Sequence, residues 1–125
     1  MVLRICLIDD DISFLPLMKG VITEVCNRLE FCVEIHAYST YSREINSQYD
    51  IYFVDIEMPI TNGFELVKRI EDPGKTIVYT TGIEDYVFSS FENNAYDFVR
   101  KRLLLTDVQR VLTRYVSEKR KKNNN

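Results

Sequence analysis

Short, mostly apolar runs alternate along this chain with longer segments whose apolar residues recur every three or four positions. Leu3 to Ile8 is such a run and stops abruptly at Asp9-Asp10-Asp11. A strand buried on both faces reads this way. Ser13 then predicts a helix N-cap, and Pro16 is tolerated in a first turn. Phe14, Met18, Val21, Ile22, Val25, Cys26 and Leu29 follow at helical spacing. Cys32 to Tyr38 alternates as a strand does, with Val33, Ile35 and Ala37 on one side. Thr40 to Gln48 is polar and supports at most a short helix.

The pattern then repeats. Ile51 to Val54 is a second buried run, and it too ends at a carboxylate, Asp55. Met58-Pro59 and Asn62-Gly63 break the chain, after which Phe64, Leu66, Val67 and Ile70 predict a helix closed by Asp72-Pro73-Gly74. Thr76 to Tyr79 predicts a strand ended by Thr80-Thr81-Gly82, Tyr86 to Asn94 a helix, and Tyr96 to Val99 a short strand. The last helix is predicted from Thr106, with Val108, Val111, Leu112, Tyr115 and Val116 as its buried stripe. Tyr52 and Tyr79 read as core.

Five strand–helix units imply an α/β fold with a parallel five-stranded sheet covered on both faces. In such sheets ligands bind beyond the carboxyl ends of the strands, near the point where strand order reverses. That rule brings Asp9 and Asp10, then Asp55, then Thr80 or Thr81, then Lys101 to one rim. Clustered carboxylates repel unless a cation joins them, and a small oxygen-ligand site suits Mg²⁺. A carboxylate can act as a nucleophile toward phosphorus, and a lysine and a hydroxyl can hold the phosphoryl oxygens. No glycine-rich phosphate cradle is present in the sequence, so nucleotide binding is not indicated.

Composition narrows the class. The 125 residues fit one domain, taken as 1–118, with 119–125 as a basic, Asn-rich tail or linker. Apolar residues make up 46% and formal net charge is −3, which fits a packed domain and not a nucleic-acid binder. Three cysteines without metal-ligand spacing, Cys6, Cys26 and Cys32, suggest a reducing, cytoplasmic setting, with Cys6 and Cys26 in the core. Neither a membrane span nor a signal peptide is expected from Met1 onward. His36 reads as a surface residue on the polar side of its strand.

Leu7-Ile8-Asp9-Asp10-Asp11, Val54-Asp55-Ile56-Glu57-Met58-Pro59, Asn62-Gly63, Thr81 and Lys101 together resemble the receiver domain of two-component response regulators. Thr81-Gly82-Ile83-Glu84-Asp85-Tyr86, Phe91-Glu92 and Ala95-Tyr96-Asp97-Phe98 are most similar to receivers of the LytTR-type branch. The resemblance implies a flavodoxin-like, doubly wound (βα)5 fold and a phospho-acceptor at Asp55, served by a sensor histidine kinase. It implies Mg²⁺ held by Asp10, Asp55 and the backbone carbonyl of Glu57, with Asp9 acting through water. It makes Thr81 the switch hydroxyl, Lys101 the phosphate contact and Phe98 the switch aromatic. It also implies transcription regulation, with homodimerisation on phosphorylation, and DNA contact only through a separate output domain. On this reading the chain is no enzyme beyond its own phosphotransfer and dephosphorylation.

One departure stands out. The family usually has proline after the lysine, commonly with a cis bond, whereas Arg102 stands here. A cis bond at a non-proline residue costs about 3 kcal/mol, so this loop is expected to be trans and differently shaped. The departure supports an alternative, a pseudo-receiver that acts as an interaction module without phosphorylation. A haloacid-dehalogenase-like phosphatase would need aspartate where Glu57 stands, and the acidic loop after Ile8 would repel a flavin phosphate.

Overall fold

The computed structural model of the chain describes residues 2–123, apart from the side chains of Phe88, Ser90 and Asn123; Met1, Asn124 and Asn125 lie outside the described residues. The strands are β1 (Val2–Ile8), β2 (Cys32–Tyr38), β3 (Ile51–Asp55), β4 (Ile77–Thr81) and β5 (Asp97–Arg100). The helices are α1 (Phe14–Arg28), α2 (Gly63–Val67), α3 (Tyr86–Glu92) and α4 (Leu104–Asn123). Single 3₁₀ turns occupy Arg43–Asn46 and Lys101–Leu103.

All neighbouring strands pair in parallel, in the order β2-β1-β3-β4-β5. Strand order therefore reverses between β1 and β3, which opens a crevice at their carboxyl ends. Alternate residues feed two cores, as the period of two in a strand requires. Leu3, Ile5, Leu7, Ile51, Phe53, Val78 and Val99 face α1 and α4. Cys6, Ile8, Tyr52, Val54, Ile77 and Tyr79 face α2 and the turn at Ile45. Every residue of β3 and β4 is buried, the cause of their unbroken apolar runs. Val33 and Ile35 of the edge strand β2 pack on the first core, while Ala37 on the same side is exposed.

Several local expectations are corrected. Ser13 occupies the N-cap position of α1, but its side chain makes no cap bond; its Oγ donates to Asp11 Oδ1 at 2.5 Å. Asp11 closes the turn instead, its carbonyl accepting from Phe14 N at 3.0 Å. The helix after Asn62 is a single stretch of five residues. The last helix begins at Leu104, before Thr106, because the 3₁₀ turn at Lys101–Leu103 leads straight into it. The basic residues Lys119–Lys122 lie within α4, with Arg120 over the Phe31 ring and donating to Leu29 O. His36 is half-buried, not simply a surface residue, and shares a hydrogen bond of 2.8 Å with Tyr49. No described helix is long and apolar enough to cross a membrane.

Candidate functional site: a carboxylate cluster at the sheet rim

The register of the sheet builds the site. Ile8 pairs with Val54, so Asp9 and Asp55, each one residue further on, lie side by side at the crevice. Asp55 pairs with Thr80, and Thr81 with Arg100, which puts Thr81 and Lys101 on the same rim. Asp9, Asp55 and Thr81 are buried, and Asp10 is exposed at the mouth. One carboxylate oxygen from each of Asp9, Asp10 and Asp55 lies within 4.8 Å of the others.

Lys101 reaches into this cluster. Its Nζ stands 2.9 Å from Asp9 Oδ2 and 3.3 Å from Asp55 Oδ1, with the Phe14 ring centroid 4.8 Å away. No peptide bond among the described residues is cis, so Arg102 does give a trans loop, yet the loop does not keep Lys101 from the carboxylates. Arg102 turns away to pair with Glu84 of the β4–α3 loop. Asp9 Oδ1 accepts from Asp11 N at 2.9 Å. Asp9 Oδ2 has the Lys101 ion pair but no well-directed hydrogen bond, which leaves it open to a further cationic partner.

The charges in the cluster are mismatched. Burial pushes the Asp55 carboxyl up from 3.8 to about 8; Glu57 and the Asp9 charge push the same way, and Lys101 pulls back. Burial opposes the Lys101 charge, but Asp9 and Asp55 outweigh it and hold that ammonium above its ordinary range. Three carboxylates of hard oxygen with one ammonium fit a small divalent ion of the Mg²⁺ type, which would relieve the excess negative charge.

The segment after β3 depends on Gly63. A Cβ there would stand 2.4 Å from Asp55 O and 3.1 Å from Ile56 Cα, so only glycine lets α2 start against the end of the strand. Asn62 caps α2, its side chain accepting from Glu65 N at 2.9 Å.

Glu57 has a role that the residue pattern did not reveal. Thr81 Oγ1 lies 2.6 Å from Glu57 Oε1, and Gly82 N donates to the same oxygen at 3.0 Å. Thr81 Oγ1 also accepts from Ile83 N at 2.9 Å. Burial raises the Glu57 carboxyl, but the bonds from Thr81, Asp55 and the backbone bring it below its ordinary value. Its other oxygen, Oε2, is buried without a hydrogen-bond partner. A carboxylate thus occupies the Thr81 hydroxyl beside Asp55. Thr80 is buried in the ladder opposite Asp55, and the Thr81 hydroxyl, one residue further on, is bonded to Glu57.

Phe98 is half-buried on β5. Its ring makes an edge contact with Phe91 at 5.8 Å and has the Arg110 and Arg100 guanidinium groups 4.5 Å and 5.7 Å from its centroid.

Residues 5–113 match the response regulator receiver domain family. The chain belongs to that family. This receiver is 25% identical to the transcriptional regulatory protein LytR of Staphylococcus aureus over 98% of its own length and 51% of the relative's. It is 23% identical to the sensory transduction protein LytT of Bacillus subtilis over 90% of its length and 48% of the relative's. The chain thus spans about half the length of these curated relatives. Among solved structures, a CheY-like receiver from Methanospirillum hungatei superposes with a TM-score of 0.64 at 26% identity, covering 94% of this chain and 99% of that one. A receiver from Clostridium thermocellum shares the fold with a TM-score of 0.74 at 18% identity, covering 94% and 97%. The flavodoxin-like (βα)5 architecture read from the sequence is therefore the architecture present, with one helix reduced to the turn at Arg43–Asn46.

Proposed function

We propose that this receiver accepts a phosphoryl group on Asp55 from the phosphohistidine of a sensor kinase, with Mg²⁺ in the site. The observation that carries the proposal is Lys101 Nζ within 3.3 Å of Asp55 and 2.9 Å of Asp9, inside a cluster of three carboxylates. Asp10, Asp55 and the Glu57 backbone carbonyl are the groups to hold Mg²⁺, with Asp9 acting through water. Bound Mg²⁺ would offset charge on the transferring group and keep Asp55 ionised.

The chain's own residues supply the rest. An Asp55 carboxylate oxygen attacks phosphorus as the phosphorus–nitrogen bond to the kinase imidazole breaks, and the imidazole leaves with that electron pair. Lys101 is close enough to shift from the carboxylates to a phosphoryl oxygen. The new group brings roughly two negative charges beside Glu57. The Glu57 carboxylate must then swing out, which frees the Thr81 hydroxyl for the phosphoryl group. The Thr81 shift opens room beside β5 for Phe98, and the α3–β5–α4 face is remodelled. This is a population shift between two states of the domain. The likeness to LytR-type regulators supports an output that acts on transcription, through dimerisation or a DNA-binding domain beyond this segment.

The pseudo-receiver alternative draws only on Arg102, and Lys101 reaches both carboxylates in spite of it. Calorimetric titration with beryllofluoride and Mg²⁺ tests the proposal. Saturable, Mg²⁺-dependent binding that Asp55→Asn abolishes supports it; no binding by the wild type favours the interaction module.

A further inference from the structure

Phe98 has no hydroxyl with which to anchor itself in water, and an apolar ring left half outside the core is drawn inward by the hydrophobic effect. Among the groups in contact with the ring at this depth are Phe91 and two guanidiniums. Arg110 is placed to hold the ring out. Its guanidinium carbon lies 4.5 Å from the ring centroid, within cation–π range.

Arg110 is itself tied down. Its Nη2 donates to Phe98 O at 2.7 Å and to Asp97 Oδ1 at 2.9 Å, and its Nη1 to Asp107 Oδ1 at 2.8 Å. Asp107 is fully buried and Asp97 nearly so, so the anchors do not wander. Asp107 also accepts from Arg100 N, Nε and Nη2, which fixes the second guanidinium at 5.7 Å from the ring. A planar cation immobilised on buried carboxylates loses little freedom by lying against an aromatic face.

We infer that Arg110, pinned by Asp97 and Asp107, is a latch that holds Phe98 in its outward position and sets how far the unphosphorylated domain populates its switched state. The inference rests on the proposed phosphorylation switch. Its energetic scale follows from cation–π pairs, which at partly exposed sites shift an equilibrium about two- to fivefold. If the binding-competent state is the one with Phe98 inside, loosening the latch raises its fraction and tightens ligand binding by the same factor.

The test is a double-mutant cycle read two ways. Wild type, Arg110→Ala, Phe98→Ala and the double variant are each titrated with beryllofluoride and Mg²⁺, and folding is checked by circular dichroism. Arg110→Ala should bind about two- to fivefold tighter than wild type. In the Phe98→Ala background the same change should do nothing, because there is no ring to hold. Arg110→Lys, which keeps charge near Asp97 and Asp107 but loses the planar stack, should fall between wild type and Arg110→Ala. Unchanged or weaker binding by folded Arg110→Ala, or an equal effect without the ring, overturns the latch. In ligand-free protein, nuclear Overhauser contacts between the Phe98 ring and the Thr81 methyl should strengthen in Arg110→Ala; unchanged contacts also overturn it. This second readout needs no phosphoryl mimic. Failure of the wild type to bind beryllofluoride would count against the phosphorylation proposal alone.

Discussion

Asp55→Asn should stabilise the metal-free protein at alkaline pH and leave it almost unchanged near pH 4.5. At an effective dielectric of about 20, Asp9 and Asp55 oxygens at most 4.8 Å apart repel by at least about 3.5 kcal/mol. Lys101, 3.3 Å from Asp55, attracts by about 5 kcal/mol on the same scale. Asp10 adds repulsion, but it is exposed and water screens much of it. The pairwise charges thus nearly cancel, and burial remains as the dominant cause of the upward shift to about 8. The unfolded chain releases this proton near pH 4, the native state near pH 8. Between those values the native state binds more protons, so stability falls as pH rises.

A displacement of about four units sets a ceiling of about 5–6 kcal/mol. Removing Asp55 also takes one partner from Lys101, so roughly 2 kcal/mol should survive at pH 8, or about 8 °C in Tm for a domain of this size. Urea unfolding in EDTA, followed by tyrosine fluorescence or circular dichroism because the chain has no tryptophan, measures it from pH 4.5 to 8.5. The gap between variant and wild type should widen with pH. A gap that is absent, reversed or independent of pH would refute the charge account of the site. Saturating Mg²⁺ should narrow the gap, since it stabilises the wild type through the same carboxylates.

Other consequences follow from the same contacts. Lys101→Ala removes a cation that competes for Asp9 and Asp55, so Mg²⁺ alone should bind several-fold tighter, while beryllofluoride with Mg²⁺ should bind at least tenfold weaker; calorimetry separates the two. Glu57→Gln keeps a hydrogen-bond acceptor for Thr81 but removes a negative charge beside the incoming phosphoryl group, so labelling by acetyl phosphate should speed up about three- to tenfold in a quench-time series. Gly63→Ala forces a Cβ against Asp55 O and should destabilise by about 1–3 kcal/mol in urea, with slower labelling of Asp55 as the strand end shifts. Asp107→Ala strips Arg100 and Arg110 of a fully buried partner and should lose about 2 kcal/mol of stability; because both arginines are partly exposed, water limits the loss.

Much of this site could be read from residue order alone. β1, β3 and β4 are buried on both faces, so their apolar runs stand out and end at the rim where Asp9, Asp55 and Thr81 lie. The acidic cluster followed from strand ends plus the crevice rule. The stretch Thr40–Gln48 was weak as a helix because Ile45 is its one buried apolar residue, with Tyr41 packed partly against the core, and one 3₁₀ turn suffices for that. The last helix begins early because the cue at Thr106 is local, while the preceding turn is set by how β5 docks against α4. The choice of Lys101 between Arg100 and Arg102 came from register, and the structure separates the three cations: Lys101 to the carboxylates, Arg100 to Asp107, Arg102 to Glu84. Asp107 and Arg110 form a local i,i+3 pair on α4, but the Glu57–Thr81 bond and the Asp97–Arg110 pair left no periodic trace. Such pairs join charged groups that distant parts of the chain bring together, and a pattern of apolar positions carries no information about which carboxylate meets which donor.

Covalent labelling tests the account most directly. The chain is incubated with acetyl phosphate and Mg²⁺, digested, and mapped by mass spectrometry. The account predicts a single phosphoryl adduct on Asp55, absent without Mg²⁺ and absent in Asp55→Asn. An adduct on another residue, labelling that persists in Asp55→Asn, or no adduct under conditions that label a known receiver, would contradict it.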